Sequence, residues 1–405
     1  VEIYLVGGAV RDRLLHIDNH DNDWVVVNST PEIMLHNGFK SVGKDFPVFL
    51  HPETQEEYAL ARTEKKLGHG YTGFECYCSQ DVTLEEDLLR RDLTINAMAQ
   101  DSSGNIIDPY GGQGDLQNRT LRHVSDAFSD DPLRVLRIAR FAAKLHQLKF
   151  TIADETMHLM RKIVLSGELS HLTAERVWLE WHKSLLTPSP DIFIQTLRQC
   201  GALAILLPEI DRLFGIPQPE KWHPEIDTGI HVLLVLKQIS KLSNDPVIRF
   251  SATVHDVGKS KTPRSEWPCH KKHEHEGLSI IHNICDRFKL PNNYRELALI
   301  VCKYHTNIHK AFELKPGTLI TLFSNIDVWR RKERLTGLLL CCQADYMGRK
   351  GCSEQIYPQK QFILNTFELA SRVDVQDIIA QGYRGKDIKE QLDKKRADTI
   401  KNASY

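Results

Sequence analysis

Leu5-Val6-Gly7-Gly8-Ala9-Val10-Arg11-Asp12, followed by Asp21-Asn22-Asp23-Trp24-Val25-Val26-Val27, is the stretch that decides the fold. Its first half closes the β-rich run Glu2–Val6 with a glycine turn and enters a helix-like segment, Val10–Leu15. Its second half reads as a buried strand over Asp23–Val27. Strand alternation puts Asp21 and Asp23, at i and i+2, on one face. Hard carboxylate oxygens paired this way suit Mg²⁺, which commonly takes one or two carboxylates plus substrate phosphates. Backbone N–H groups at the turn would cradle phosphate, and Arg11 would add a charge-assisted contact. Alone, a Gly-Gly after a strand is more often a tight turn, and an Asp-x-Asp a solvated loop. Joined as Gly8-x12-Asp21-x-Asp23, they supply what phosphoryl chemistry needs: a phosphate nest and a carboxylate pair for metal.

Outward from this unit, Pro47–His51 and Glu57–Arg62 read as further strands. Gly68, Gly70 and Gly73 punctuate Thr63–Phe74, which reads as a flexible loop, and Asp108–Gly112 is a turn cluster. From Asp130 the texture changes. Asp131-Pro132 reads as an N-cap followed by Pro at the first helical position, with helical periodicity through Leu145. The remainder reads as helices broken by Pro/Gly turns. The expected fold class is α+β: a head with a small sheet over 1–125, then an all-α neck and body. The body divides into a neck over 126–220, a histidine-rich unit over 221–350 and a helical C-terminal region over 351–405.

Composition agrees with a globular chain: 405 residues, 41% hydrophobic and 26% charged, which excludes collagen-like and broadly disordered classes. Its longest apolar runs, Ile230–Leu236 and Leu335–Cys342, are core-helix length, so no membrane span is expected. There is no signal-peptide pattern at the start, and nine cysteines without a repeating framework fit reduced thiols; both point to the cytoplasm. Lys plus Arg (52) nearly cancels Asp plus Glu (53) for a net charge of −1, so a nucleic-acid partner needs local basic patches. Two stretches qualify, 130–150 and 384–401.

Two further constellations carry chemistry. Arg134, Arg137 and Arg140 recur at i, i+3 and i+6 and form one ridge on the helix after Asp131. A guanidinium has paired donors for a base edge or phosphate, and an Asp acceptor beside an Arg donor can mimic a complementary base. The competing reading is an N-capped helix with a solvated arginine face. The second constellation is a histidine cluster, with nine of the 19 histidines falling between His223 and His309. His231, the adjacent pair His255-Asp256, and Asp345 combine imidazole and carboxylate, which suits Ni²⁺, Mn²⁺ or Fe²⁺. His270, His273, His275 and His305 are candidates to line the same cleft.

The glycine turn with spaced strand aspartates resembles the nucleotidyltransferase superfamily of polymerase-β type. Leu5–Asp12, the Glu57–Thr63 strand, the loop Thr63–Phe74, Arg90-Arg91-Asp92-Leu93-Thr94-Ile95-Asn96-Ala97-Met98-Ala99 and Asp131-Pro132-Leu133-Arg134 resemble class II CCA-adding enzymes, which are tRNA nucleotidyltransferases. The second half resembles their bacterial version with an HD domain, and His231…His255-Asp256…Asp345 is similar to the HD phosphohydrolase pattern. The resemblance implies that Gly8 and Arg11 hold nucleotide phosphates, Asp21 and Asp23 bind catalytic Mg²⁺, and Arg91 contacts nucleotide. Glu57 would be a third acidic residue. Asp131 and Arg134 would select C and then A, with Arg137 and Arg140 on phosphate or sugar. The family usually has Glu where Asp130 stands here. For Asp92, the alternative is a helix N-cap before Leu93–Gln100, with Arg90 and Arg91 on a solvated surface.

The implied activity is template-independent addition of the 3′-terminal CCA of tRNA from CTP and ATP. A Ni²⁺- or Mn²⁺-dependent HD site would add 2′,3′-cyclic phosphodiesterase, 2′-nucleotidase or phosphatase activity. Implied partners are the tRNA 3′ end, CTP and ATP, with the protein a monomer or homodimer. The alternatives are a poly(A) polymerase or partial CCA-adding enzyme, a phosphohydrolase with a degenerate nucleotide-binding head, and a non-catalytic RNA-binding protein.

Overall fold

The computed structural model describes residues 1–18, 22–42, 48–66 and 74–403, so Asp21 and the centre of the Thr63–Phe74 stretch lie outside the described residues. The chain forms two compact units, Val1–Leu206 and Leu207–Tyr405. Residues 207–220, expected with the neck, belong to the second unit. The reason is local: Lys259 Nζ donates to Gln218 Oε1 at 2.6 Å, and His270 Nε2 meets the Pro217 carbonyl at 2.6 Å.

In the first unit the strands are β1 (Glu2–Val6), β2 (Asp23–Val27), β3 (Lys40–Ser41), β4 (Val48–Leu50), β5 (Glu57–Leu60), β6 (Thr63–Lys66), β7 (Phe74–Tyr77), β8 (Ala99–Gln100) and β9 (Ile106–Ile107). Among the described residues seven of them make one sheet in the order β3-β4-β5-β2-β1-β8-β9. β2 is buried on both faces, which explains its continuous Val-Val-Val run. Val25 packs with Val6, Leu88 and Ala97, while Val26 packs with Met34, Phe49 and Leu60. The stretch expected to be loop begins and ends as strand: β6 pairs antiparallel with β7, Thr63 opposite Tyr77. Gly68, Gly70 and Gly73 themselves lie outside the described residues.

The Leu93–Gln100 helix considered for Asp92 is also absent. A short 3-10 turn, Thr94–Asn96, leads into β8 instead. The helix Leu133–Leu145 does form, with Pro132 at the cap position and Asp131 Oδ1 accepting from the Leu133 N–H at 3.0 Å. It buries Val135, Leu136, Ile138 and Ala139 against the helices Ala174–Leu185 and Pro190–Cys200.

The second unit is helical. Thr228–Leu242, Pro246–Val254, His273–Arg287, Asn292–His309 and Lys332–Gly348 pack together, and Pro358–Ser371 and Lys386–Asn402 follow. The two apolar runs noted in the sequence lie in Thr228–Leu242 and Lys332–Gly348. Among the described residues no helix is long and apolar enough to cross a membrane. Gly258 is obligatory here, because a Cβ would collide with the His273 carbonyl. That close approach brings the turn after His255-Asp256 onto the His273 helix.

Candidate active and metal sites

Sheet register builds the first site. Antiparallel pairing sets Asp23 opposite Val6, the residue before the glycine turn, and parallel pairing sets Glu57 beside Asp23. Asp23 and Glu57 are exposed at these strand ends. Gly7 takes φ +68°, which starts the helix Gly8–Leu14 directly from the strand. A Cβ on Gly7 would sit 2.9 Å from Arg91 Nη1, and one on Gly8 would sit 3.4 Å from Arg11 Nη2. Both glycines therefore leave room for guanidinium groups against the turn. The structure brings Gly8, Arg11 and Arg91 together beside Asp23.

Arg11 is buried rather than presented at the rim. It bonds to Asp12 at 2.7 Å and to Asn96 Oδ1 at 2.6 Å. Asn96 in turn donates to Asp92 Oδ1 at 3.0 Å, and Asp92 Oδ2 accepts from Arg137 Nε at 2.8 Å. Burial alone would raise the Asp92 pKa, but the Arg137 charge overrides it and holds the carboxyl well below its usual range. Asp92 is thus an anchor between head and neck, not a helix cap.

Beside this chain of bonds lies a cleft of about 340 Å³, walled by Arg62, Arg90, Arg91, Arg134, Arg137 and Arg176, with Glu64, Asp92 and Asp131 among them. Such a wall suits a polyanion with a hydrogen-bonding base. Arg134 is fixed by two main-chain carbonyls, Ala127 at 2.7 Å and Arg90 at 2.6 Å. Asp131 Oδ2 accepts from Arg176 at 2.9 Å. Asp131 and Arg134 are therefore both held in place by neighbouring groups of the protein. Arg140 does not line this cleft; its Nε donates to Glu180 Oε2 at 2.6 Å. Asp130 ends the 3-10 turn Asp126–Asp130 and also stands outside the cleft wall.

Helix packing builds the second site. His231, His255 and Asp345 converge, as do Asp256, His273 and His305, each triad offering ligand atoms within 4.8 Å of one another. His231 Nε2 lies 2.9 Å from Asp345 Oδ1, and His255 Nε2 lies 3.8 Å from Asp345 Oδ2. His273 Nε2 and His305 Nε2 stand 3.3 and 3.6 Å from Asp256 Oδ1. Lys259 Nζ meets Asp256 Oδ2 at 2.7 Å. A cleft of about 680 Å³ opens over Asp256, His273, His305, His309 and Asp345.

The donor set fits a transition-metal ion. His255 Nε2 and Asp256 Oδ1 are buried without an aligned hydrogen-bond partner, which a bound cation resolves. Burial would lower the His255 pKa, yet the Asp256 charge raises it to about 9, so the pocket favours positive charge. Burial also works against ionised Asp345, and the His309 charge outweighs it to keep that carboxyl well below its usual range. Of the other sequence candidates, His270 lines the cleft as expected, with both ring nitrogens engaged by Thr262 Oγ1 and the Pro217 carbonyl. His275 is exposed and outside the cleft wall.

Comparison with known proteins then decides the family. Relatives from Vibrio campbellii and Vibrio cholerae, both named multifunctional CCA protein, are 62% and 63% identical to this chain, covering 100% and 99% of it and 99% of each relative. The chain belongs to the multifunctional CCA protein family. Three domain models match it in order: poly A polymerase head domain at 3–122, probable RNA and SrmB-binding site of polymerase A at 149–214, and HD domain at 228–349. A Thermotoga maritima CCA-adding enzyme complexed with tRNA shares the fold at TM-score 0.65 and 21% identity, covering 100% of this chain and 88% of that one. A CCA-adding enzyme in complex with ATP aligns at TM-score 0.64 and 22% identity, covering 100% of this chain and 87% of the other.

Sequence reasoning missed Arg176, Glu180, His309 and Glu225 as parts of these sites. Arg176 and Asp131 are 45 positions apart, and no local pattern links them. Glu225 lies 2.8 Å from His231 Nδ1 and was hidden in an unremarkable turn. His309 had a legible signal, since it stands four residues after His305 and shares its helix face.

Proposed function

We propose that this protein adds the 3′-terminal CCA to tRNA without a template, using CTP and ATP, and that its HD centre hydrolyses phosphate esters. The observation that carries the first reading is the register that sets Asp23 beside the glycine turn, next to an arginine-walled cleft holding Asp131 and Arg134. Asp21 and Asp23, supported by Glu57, would hold Mg²⁺, which when bound lowers the charge on the phosphates and activates the primer hydroxyl. Gly8 and Arg91 accept the triphosphate, and Arg11 keeps the turn and Asn96 in place beneath it. Asp131 and Arg134 present an acceptor and donors to the base edge, a protein surface standing where a template base would be. Arg137 closes the cleft on the sugar-phosphate side, while Arg140 supports the helix through Glu180.

For the second reading, His231, His255, Asp256 and Asp345 would hold Ni²⁺ or Mn²⁺, which when bound supplies an activated water. His273 and His305 extend the donor set across the cleft, and Lys259 offers a cation to a phosphate. The substrates that fit are 2′,3′-cyclic phosphates, 2′-nucleotides and phosphomonoesters at RNA ends, in keeping with a cytoplasmic enzyme that repairs tRNA. The primary test is incubation with tRNA ending at the discriminator base, Mg²⁺ and labelled CTP and ATP. Growth by three nucleotides, halting after two with CTP alone, is the expected product. A long adenylate tract would identify a poly(A) polymerase instead.

A further inference from the structure

The metal pocket draws on a residue beyond the stretch matched by the HD domain model, which ends at 349. Tyr357, only 4% exposed, places its hydroxyl 2.8 Å from His309 Nδ1, and His309 Nε2 lies 2.6 Å from Asp345 Oδ2. We propose that Tyr357 and His309 form a positioning pair that fixes Asp345 for metal binding, so that the segment after Lys332–Gly348 completes the HD centre. This rests on the phosphohydrolase reading of that centre.

Hydrogen-bond bookkeeping sets the direction of each contact. A carboxylate accepts and does not donate, so the contact to Asp345 requires a hydrogen on His309 Nε2 in either charge state of the ring. In the neutral ring Nδ1 is then the acceptor, and the Tyr357 hydroxyl is the donor that holds that tautomer. Burial pushes the Tyr357 pKa up, which keeps its hydrogen in place. With Oδ2 held by His309, Asp345 turns Oδ1 toward His231 Nε2 at 2.9 Å, where both atoms can meet one ion.

The segment is built for this contact. Tyr357 precedes Pro358, which opens the helix Pro358–Ser371 and favours an extended residue before it; Tyr357 has φ −104° and ψ 89°. Two positions on, Gln359 Nε2 donates to the His309 main-chain carbonyl at 3.2 Å. The segment thus grips His309 by ring and backbone. On the helix Asn292–His309, His305 and His309 share a face, one reaching Asp256 and the other Asp345. Partners of this kind orient a ligand and raise its affinity for metal.

The test is calorimetric titration of Mn²⁺ into chelator-stripped full-length protein carrying Asp23→Asn, which removes binding at the nucleotidyltransferase site. His309→Asn lacks a donor at the Nε2 position and should weaken binding about 10–100-fold. Tyr357→Phe should weaken it about tenfold, at the lower end of that range. His309→Gln, whose amide nitrogen reaches the Nε2 position, should bind close to the parent. The Asn and Gln variants lose the same ring, so equal losses in both would show a packing effect and overturn the proposal. Unchanged affinity in His309→Asn and Tyr357→Phe would overturn it while leaving the metal centre standing. If His255→Ala leaves the parent isotherm unchanged, the metal reading of the pocket fails, and the positioning pair fails with it.

Discussion

Asp23 and Glu57 stand exposed at the ends of neighbouring strands, whereas Asp256 and Asp345 are 2% and 4% exposed among five histidines. The contrast sets how each site would meet the metal proposed for it. Exposed oxygen ligands at a strand edge leave coordination positions for substrate phosphates, so the Mg²⁺ proposed there would arrive and leave with nucleotide. Buried carboxylates among imidazoles are costly without a cation, so the transition-metal ion proposed for the second site would be resident. Sheet register makes one site, and helix packing makes the other.

The largest effect that would break this contrast is at the strand edge. Asp23→Asn keeps shape and removes charge, and nucleotide addition should fall by several orders of magnitude with folding intact. Near-normal addition, measured by gel with labelled CTP, would remove this site assignment.

Next in size is the frame behind the arginine ridge. Arg140→Ala leaves Glu180, itself 2% exposed, as a buried charge without its partner. Stability of the first unit should drop by about 3–5 kcal/mol in urea unfolding. The double change Arg140→Met with Glu180→Leu should recover most of it. A loss below ~1 kcal/mol for the single variant would show that solvent already screens the pair.

Selectivity comes third. Arg134→Ala removes the donors beside Asp131, and discrimination among CTP, ATP, UTP and GTP should drop roughly tenfold to a hundredfold, the worth of one bidentate base contact. A uniform rate loss for all four nucleotides would instead make Arg134 a strut between Ala127 and Arg90.

The smallest expected effect is on pH dependence. Asp92 has its pKa depressed because Arg137 overrides burial, so its contribution is complete above the unfolded value of about 3.9 and is lost as pH falls toward the folded value. Arg137→Gln removes the largest influence opposing burial while Asn96 and Arg134 still lower the pKa, so the folded value rises toward the unfolded one and less stability is lost as pH falls below about 4. Urea midpoints from pH 6 to 3 should therefore fall less steeply in the variant than in the parent. Parallel curves would contradict the assignment of Arg137 to Asp92.

Legibility followed the same divide. The strand–glycine–helix unit was readable because period-two alternation and a glycine turn are local signals, and Asp23 emerged from them directly. The paired strands β6 and β7 were not, because Gly68, Gly70 and Gly73 give the whole stretch the composition of a loop. The histidine cluster was legible through the adjacent His255-Asp256, but the helix face that joins His305 to His309 depended on a spacing that only packing makes meaningful. Arg11 shows the reverse case: its position at the turn was readable, and its burial on Asp12 and Asn96 was not, because Asn96 is 85 residues away. Arg176 and Glu180 meet Asp131 and Arg140 through tertiary contacts alone.

The measurement that tests the central claim most directly is a reciprocal assay of Asp23→Asn and His255→Ala, each purified at full length and tested for both reactions. One assay follows CCA addition to tRNA with Mg²⁺, and the other follows Ni²⁺- or Mn²⁺-stimulated hydrolysis of a 2′,3′-cyclic phosphate. Two independent metal centres predict a crossed pattern: Asp23→Asn loses addition and keeps hydrolysis, while His255→Ala loses hydrolysis and keeps addition. Loss of both reactions in either correctly folded variant would contradict it.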